Sequence, residues 1–423
     1  MSSRQRYDDS PEVIDQIAPG YRVSPHPRAL QAFSIARFFE RVAFYSMRHW
    51  LILYFMGMMG SEKPLDEAYT NFQYIILAFV LSQIPGAIAV DLGYKRRHAV
   101  VWGGALLAVG YFSLALLPYG LSWISLLACC LGFGLYSAPS ITSMASFYRG
   151  REAYLEAGMS YYFGMLSAAA LITSFLLGIG LRSLDWQRGA MVAGITMMLG
   201  HVYLLAVARV FREKKLPQAA AARPESRRST FWLSSVAFGV LLSYLAYSYF
   251  TQEASGFLRM LSMGRGELGI FGQTSQLVSL ALTSLALFAS SWWITRHGAS
   301  TMLRLGLGLL LGAVAGALLP GVLPAVADGL PSASIYLIAA GLTVMIVVAE
   351  VLTLPAVFSV VLHLPVKWKN TLIAALSSIS FLPLLMLGSD LSVWQKLLFG
   401  GLGIAAISLM AIWAIKHRRQ SLY

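Results

Sequence analysis

Apolar runs of about 20 residues or more follow one another along the whole chain, each long enough to cross a hydrocarbon core of about 30 Å. Only structures that satisfy every backbone N–H and C=O internally survive in lipid, so runs of this length predict membrane-spanning helices. Composition agrees. Of 423 residues, 57% are hydrophobic and only 12% charged, and a soluble domain of that size needs far more polar surface. Twelve spans are expected, at roughly 30–58, 67–92, 98–118, 121–147, 154–181 and 189–210, then 231–257, 268–295, 301–323, 332–362, 369–388 and 391–416. The fold class is therefore an all-α membrane protein of twelve helices.

The formal net charge of +13 would fit nucleic acid if it lay on one surface. It lies instead between the spans. Of the 32 Lys and Arg residues, 23 fall in segments that alternate onto one side: the N-terminal tail, Lys95 to Arg97, Arg149 and Arg151, a central linker, Arg296 and Arg304, Lys367 and Lys369, and the C-terminal end. Six fall in the opposite loops, and three (Arg37, Arg41 and Arg48) lie within the first span. That bias makes the basic side cytoplasmic and puts both termini there. No nucleic-acid partner is needed, and membrane lipid is the expected surrounding. The first 29 residues are polar and contain no apolar core of a leader peptide, so no cleavable signal is expected.

Residues 211–229, REKKLPQAAAARPESRRST, are charged and rich in Ala and Pro, the composition of a tether. They divide the spans six and six. The expected organisation is a cytoplasmic tail (1–29), a six-helix bundle (30–210), the linker (211–229), a second six-helix bundle (230–416) and a short tail (417–423). Two such halves around a cytoplasmic linker are what a major-facilitator transporter requires, because the halves rock about a midplane site. Glycines and small residues dense within the spans, as in GMSYYFGMLSAAA (158–170), read as close helix packing ahead of any ligand role. Cys129 and Cys130 are helix neighbours pointing about 100° apart, so they read as packing or lipid-facing residues, not a disulfide.

Ionisable residues inside the spans are the sharpest functional signal, since each costs on the order of 3 kcal/mol at the bilayer centre even on a lenient scale. The first span, ALQAFSIARFFERVAFYSMRHWLILYF, carries Arg37, Glu40, Arg41 and Arg48. Helical spacing puts the three arginines on one stripe with Glu40 beside it, and that stripe is expected to face the bundle interior. Snorkelling to the cytoplasmic interface is the alternative for Arg37 and Arg41. Glu350 sits mid-span in IAAGLTVMIVVAEVLTLPAVFSVVL, where a carboxylate is protonated or paired, with Arg48 the candidate partner. Gln252 and Glu253 lie near the extracytoplasmic end of the seventh span. Asp91, closing the second span beside Lys95, Arg96 and Arg97, reads as a conformational gate.

These residues together resemble the proton-dependent oligopeptide transporter family of the major facilitator superfamily. FFERVAFYSMRHWLILYF is similar to the family's ExxER helix, with Glu40 and Arg41 on its last two charges and Arg48 on the downstream cavity arginine. AVDLGYKRR resembles the superfamily's second-to-third helix loop motif. GFGLYSAPSITSMASFY and EAGMSYYFGMLSAAA resemble the family signature through helices four and five. FTQEASG and AEVLTLP resemble its seventh- and tenth-helix segments, with Glu350 on the family glutamate. The departures are specific too. Arg37 stands in place of the first glutamate of ExxER, and Ser137 or Ala138 in place of a fourth-helix lysine. Leu354 replaces a serine, and Val80 a tyrosine.

The resemblance implies a secondary transporter of a small peptide, amino acid or related metabolite, with protons as the coupling partner and a bacterial inner membrane as its location. Arg48, Tyr45, Glu350, Tyr162 and Gln252 would bind substrate. Arg37, Glu40, Arg41, Glu253 and Glu350 would form the charge network. Asp91, Lys95, Arg96 and Arg97 would gate. Tyr74, Tyr161 and Tyr247 are further candidates for an aromatic wall. Because arginine does not release a proton as lysine does, Arg37 shifts any coupling to Glu350 or Glu253. A transport-inactive subunit or scaffold of a larger membrane complex is the other reading, with a membrane-protein partner. An enzyme is not expected: no cofactor motif or metal spacing is present, and His49, His201 and His363 form no ligand set.

Overall fold

The computed structural model describes residues 26–59, 64–117, 121–148, 152–179, 185–207, 239, 244–245, 247–248, 267–297, 300–327, 332–364 and 368–379. The twelfth expected span, all of the seventh but residues 239, 244, 245, 247 and 248, Gln252, Glu253 and the linker lie outside the described residues. Ten α-helices are described: α1 (Arg28–Met59), α2 (Pro64–Asp91), α3 (Arg96–Leu116), α4 (Ser122–Phe147), α5 (Leu155–Ile179), α6 (Trp186–Ala206), α7 (Glu267–His297), α8 (Thr301–Ala327), α9 (Ser332–His363) and α10 (Lys369–Ile379). They match ten of the expected spans, with ends displaced by a few residues. α6 begins three residues early because Asp185 caps it, accepting from the Arg188 N–H at 2.7 Å.

Seven described helices are long and apolar enough to cross a membrane. α1 is as long as any and carries five charged residues: Arg28, Arg37, Glu40, Arg41 and Arg48. It packs on α2, α5 and α6, while α4 packs on α2 and α3. Across the two halves α5 meets α7 and α9, and α10 meets α2 and α4. Apolar side chains cover the outside as well as the core: Leu285 is 67% and Val344 54% exposed, in the middle of helices. In water such a surface would aggregate, whereas lipid solvates it. Trp102, Trp292, Trp293 and Trp368 are exposed near the end that carries the basic loops, where amphipathic rings favour an interface.

Close helix approach explains the small residues. A Cβ added at Gly86 of α2 would stand 2.3 Å from the carbonyl oxygen of Gly134 in α4, and one at Gly134 equally close to the Ser82 carbonyl. Backbone meets backbone here, and neither can yield. Gly86→Ala is expected to destabilise the first half by about 1–3 kcal/mol, read as a lower unfolding temperature in detergent. An unchanged midpoint would mean the helices are not in contact there. At the α2–α3 turn Gly93 has a φ of +117°, a conformation that suits glycine, and the chain reverses within four residues. Cys129 and Cys130 are free thiols, and Cys129 fills the space beside Gly110.

Candidate functional site

The charged stripe of α1 faces inward. Arg37 is fully buried and Glu40 is 1% exposed, with an Arg37 Nη1 to Glu40 Oε2 distance of 3.0 Å. Arg41 is 11% exposed and brings its Nε within 3.3 Å of the same carboxylate oxygen. Snorkelling is thereby excluded for Arg37. Its Nε donates to the Tyr162 hydroxyl at 2.9 Å, and its guanidinium lies 4.8 Å from the ring of Tyr136. α4 thus offers a π face, with Ser137 and Ala138 buried beside it, where the resemblance places a lysine. The cation that pairs with Glu40 comes from α1 itself, one turn away.

Towards the opposite half, Arg41 stacks on Phe44 and Phe133 at 5.3 and 5.6 Å, and Arg48 lies 5.8 Å from the ring of Phe72. Tyr45 is half-buried between them and within electrostatic reach of Arg41, Arg48, Glu40 and Glu350. Tyr247 is likewise near Glu350 and stacks with Tyr244 at 5.9 Å. The structure therefore gathers Tyr45, Arg41, Arg48, Glu350 and Tyr247 between the halves. Among the described residues Glu350 forms no ion pair, so Tyr45 stands where a direct bridge to Arg48 was expected. Tyr162 belongs with Arg37. Tyr74 does not line this region: it is 64% exposed on the outer face of α2, because its helical phase opposes that of the buried Phe72, Ile76 and Phe79.

A second set of contacts joins the halves at the end that carries the basic loops. Asp91, the last residue of α2, sits at the first turn of α10. It accepts from the Thr371 N–H and Oγ1 at 2.8 and 2.7 Å, and from the Asn370 N–H and Nδ2 at 3.3 and 2.7 Å. A carboxylate from one half thus caps a helix of the other, where unpaired N–H groups and the helix dipole favour negative charge. Thr142 of α4 donates to the Asn370 side-chain oxygen. Arg96 reaches the Thr142 carbonyl at 3.5 Å, while Lys95 and Arg97 are exposed.

The sequence reading missed the strongest of these contacts. Glu156, in the first turn of α5, accepts from Arg304 Nη1 at 2.5 Å and from the Thr301 hydroxyl, both in the first turn of α8. Arg304 also donates to Ser290 Oγ at 2.6 Å and to the Val351 carbonyl. From sequence Arg304 reads only as a loop cation, and Glu156 as part of a helix-five motif. The available signal was an acid opening one span and a base opening another, at the same end of the bundle. His26, just before α1, completes the seam: it bonds Tyr148 at 2.8 Å and Ser291 of α7 at 3.0 Å. Burial lowers its imidazole below the usual histidine value.

Long apolar helices with an apolar outer surface and charges buried along α1 define a multi-pass membrane protein. No family model matches the chain. Curated relatives do: "Peptide transporter YePEPT" of Yersinia enterocolitica is 28% identical over 180 residues, 41% of this chain and 35% of its own. "Uncharacterized transporter YclF" of Bacillus subtilis is 25% identical over 56% of this chain and 48% of its own, and a "Di-/tripeptide transporter" of Lactococcus lactis is 24% identical over 41% and 36%. The matches span about a third to a half of the length of these relatives.

Solved structures of POT family transporters cover nearly the whole chain. One in complex with 5-aminolevulinic acid has a TM-score of 0.59 at 18% identity, covering 92% of this chain and 96% of its own. PepTSo has a TM-score of 0.61 at 12% identity, covering 93% and 99%. The chain shares the fold of the POT transporters.

Proposed function

We propose that the protein is a secondary active transporter of a small carboxylate-bearing metabolite or peptide, working by alternating access. It has twelve spans in two bundles joined by the 211–229 linker, both termini cytoplasmic, in a bacterial inner membrane. The observation that carries this reading is the position of Tyr45, Arg41 and Arg48 opposite Glu350 and Tyr247. Cations on one half and a carboxylate on the other meet at mid-span, where a substrate bridging them would couple binding to movement of the halves. Arg48 would hold a carboxylate by charge-assisted hydrogen bonds, with Tyr45 and Gln252 completing the contacts and Tyr162 holding Arg37 in place. Glu350, with Glu253 as the second candidate, would carry the proton, since an Arg37–Glu40 pair offers no lysine to discharge. A scaffold would gain nothing from buried charges, which apolar residues replace at no loss of stability.

In this reading the seam of Asp91, Glu156 and His26 is the closed cytoplasmic gate, with Arg96 supporting α4 and Lys95 and Arg97 setting the charge of that face. Asp91→Ala is expected to cost the closed state about 1–2 kcal/mol, the worth of a charged cap. Spin labels at Arg97 and His297, in protein with both cysteines replaced, should then report a larger share of long distances. An unchanged distribution would remove Asp91 from the gate.

Counterflow tests the proposal without assuming a coupling ion. Liposomes containing the protein and loaded with unlabelled dipeptide should transiently accumulate labelled dipeptide from outside. Absence of counterflow for dipeptides and their N-acylated forms, with co-purification of a stoichiometric partner, would favour the scaffold.

A further inference from the structure

The last turns of α7 present two different faces. On one, Arg304 donates to Ser290 Oγ at 2.6 Å and His26 bonds Ser291 Oγ at 3.0 Å. Those contacts fix the rotation of the helix, and with it the residues that look outward. Val278, Leu282, Leu285, Trp292 and Trp293 are each at least 40% exposed, and Arg296 and His297 are exposed beyond them. Steps of three, four and seven residues put Val278, Leu282, Leu285, Trp292 and Arg296 on one stripe. From Val278 to Trp292 that stripe runs about 21 Å, more than the ~15 Å that half a hydrocarbon core spans.

The cation at the end of the stripe is held in place. The Arg296 guanidinium lies 4.3 Å from the centre of the Trp292 ring, and the His297 ring stacks on Trp293 at 4.2 Å. Stacking occupies the face of a guanidinium and leaves its N–H edge for the bidentate contact that suits a phosphate. Tryptophan rings favour the headgroup level of a bilayer, so the edge sits at the depth of lipid phosphates. No acid competes for it nearby in sequence. Residues 268–327, all of α7 after its first residue and all of α8, contain neither Asp nor Glu. Glu156, on the neighbouring α5, is engaged by Arg304.

We propose that this end of α7 is a docking site for one anionic phospholipid of the leaflet that the basic loops face. Its phosphate meets Arg296, its glycerol backbone lies against Trp292 and Trp293, and one acyl chain follows Leu285, Leu282 and Val278. Charge selects an anionic lipid over a zwitterionic one. A choline headgroup would bring its own cation against Arg296 and the basic loops, whereas an anionic lipid keeps its negative charge for them. The site needs the membrane setting but not transport, so it stands or falls apart from the transporter reading.

Native mass spectrometry of the purified full-length protein reads the site, with phosphatidylglycerol and phosphatidylcholine of the same acyl chains supplied in equal amounts. The wild type should retain phosphatidylglycerol in preference, and Arg296→Gln should lower that preference about fivefold, the worth of one basic residue at an anionic surface. Trp292→Leu, which keeps the cation and removes its platform, should show a smaller loss. Arg97→Gln removes an exposed cation from the same end of the bundle and should leave the preference nearly unchanged. Equal retention of the two lipids by the wild type would mean ordinary bilayer contact and overturns the proposal. So does an equal fall in Arg296→Gln and Arg97→Gln, the mark of general attraction to a basic face. A protein dimer that excludes lipid overturns it as well, and assigns the stripe to a second copy of the chain.

Discussion

Arg304→Gln is expected to open the cytoplasmic gate. The change removes the cation facing Glu156, whose side chain is 5% exposed, and leaves a buried carboxylate with the Thr301 hydroxyl but no arginine. Breaking one partner of a buried pair typically costs about 3–5 kcal/mol, a shift of roughly two to three decades in the equilibrium between closed and open states. The cost falls on the closed state alone, since opening admits water to Glu156. Labels at Arg97 and His297 should report mostly long distances in Arg304→Gln. In the double variant with Glu156→Gln, where no charge is stranded, the closed form should return in large part. A single variant that stays closed would show that the pair only decorates the seam. A double variant as open as the single one would mean that shape, and not charge, holds it.

The second large effect is expected at Glu350. Glu350→Gln keeps the size of the side chain and removes its ability to take up and release a proton. If Glu350 is the coupling group, substrate accumulation driven by an inside-alkaline gradient should collapse to equilibration, while counterflow persists. The neighbourhood favours this assignment over Glu40. Glu350 has tyrosines near it and forms no ion pair among the described residues, whereas Glu40 is held between two arginines. Loss of counterflow together with accumulation would place Glu350 in substrate binding instead. Retention of both would move coupling to Glu253.

Much of this architecture was readable from residues alone, and the reason is physical. In lipid the backbone has few options, so runs of apolar residues determine helices directly, and loop cations orient them. The inward face of α1 was readable because charge is expensive there, and Arg37, Glu40 and Arg41 are indeed enclosed. Three things were not readable. The Glu156–Arg304 pair joins positions 148 residues apart, and at a helix end either charge is equally at home facing water. The outward position of Tyr74 was hidden because tyrosine suits a cavity and a bilayer interface alike, and only the packing of Phe72, Ile76 and Phe79 fixes which way α2 turns. Tyr45 was expected as a wall. Its place between Arg48 and Glu350 depends on how the two halves meet, which no single span encodes.

The most direct test of transport is uptake of labelled Ala-Ala and labelled N-acetyl-Ala-Ala into proteoliposomes of the full-length protein, with and without an inside-alkaline pH gradient. Concentrative uptake with the gradient and slow equilibration without it are the results expected here. No uptake of either compound by protein shown to be folded would contradict the account and leave a transporter fold serving another purpose.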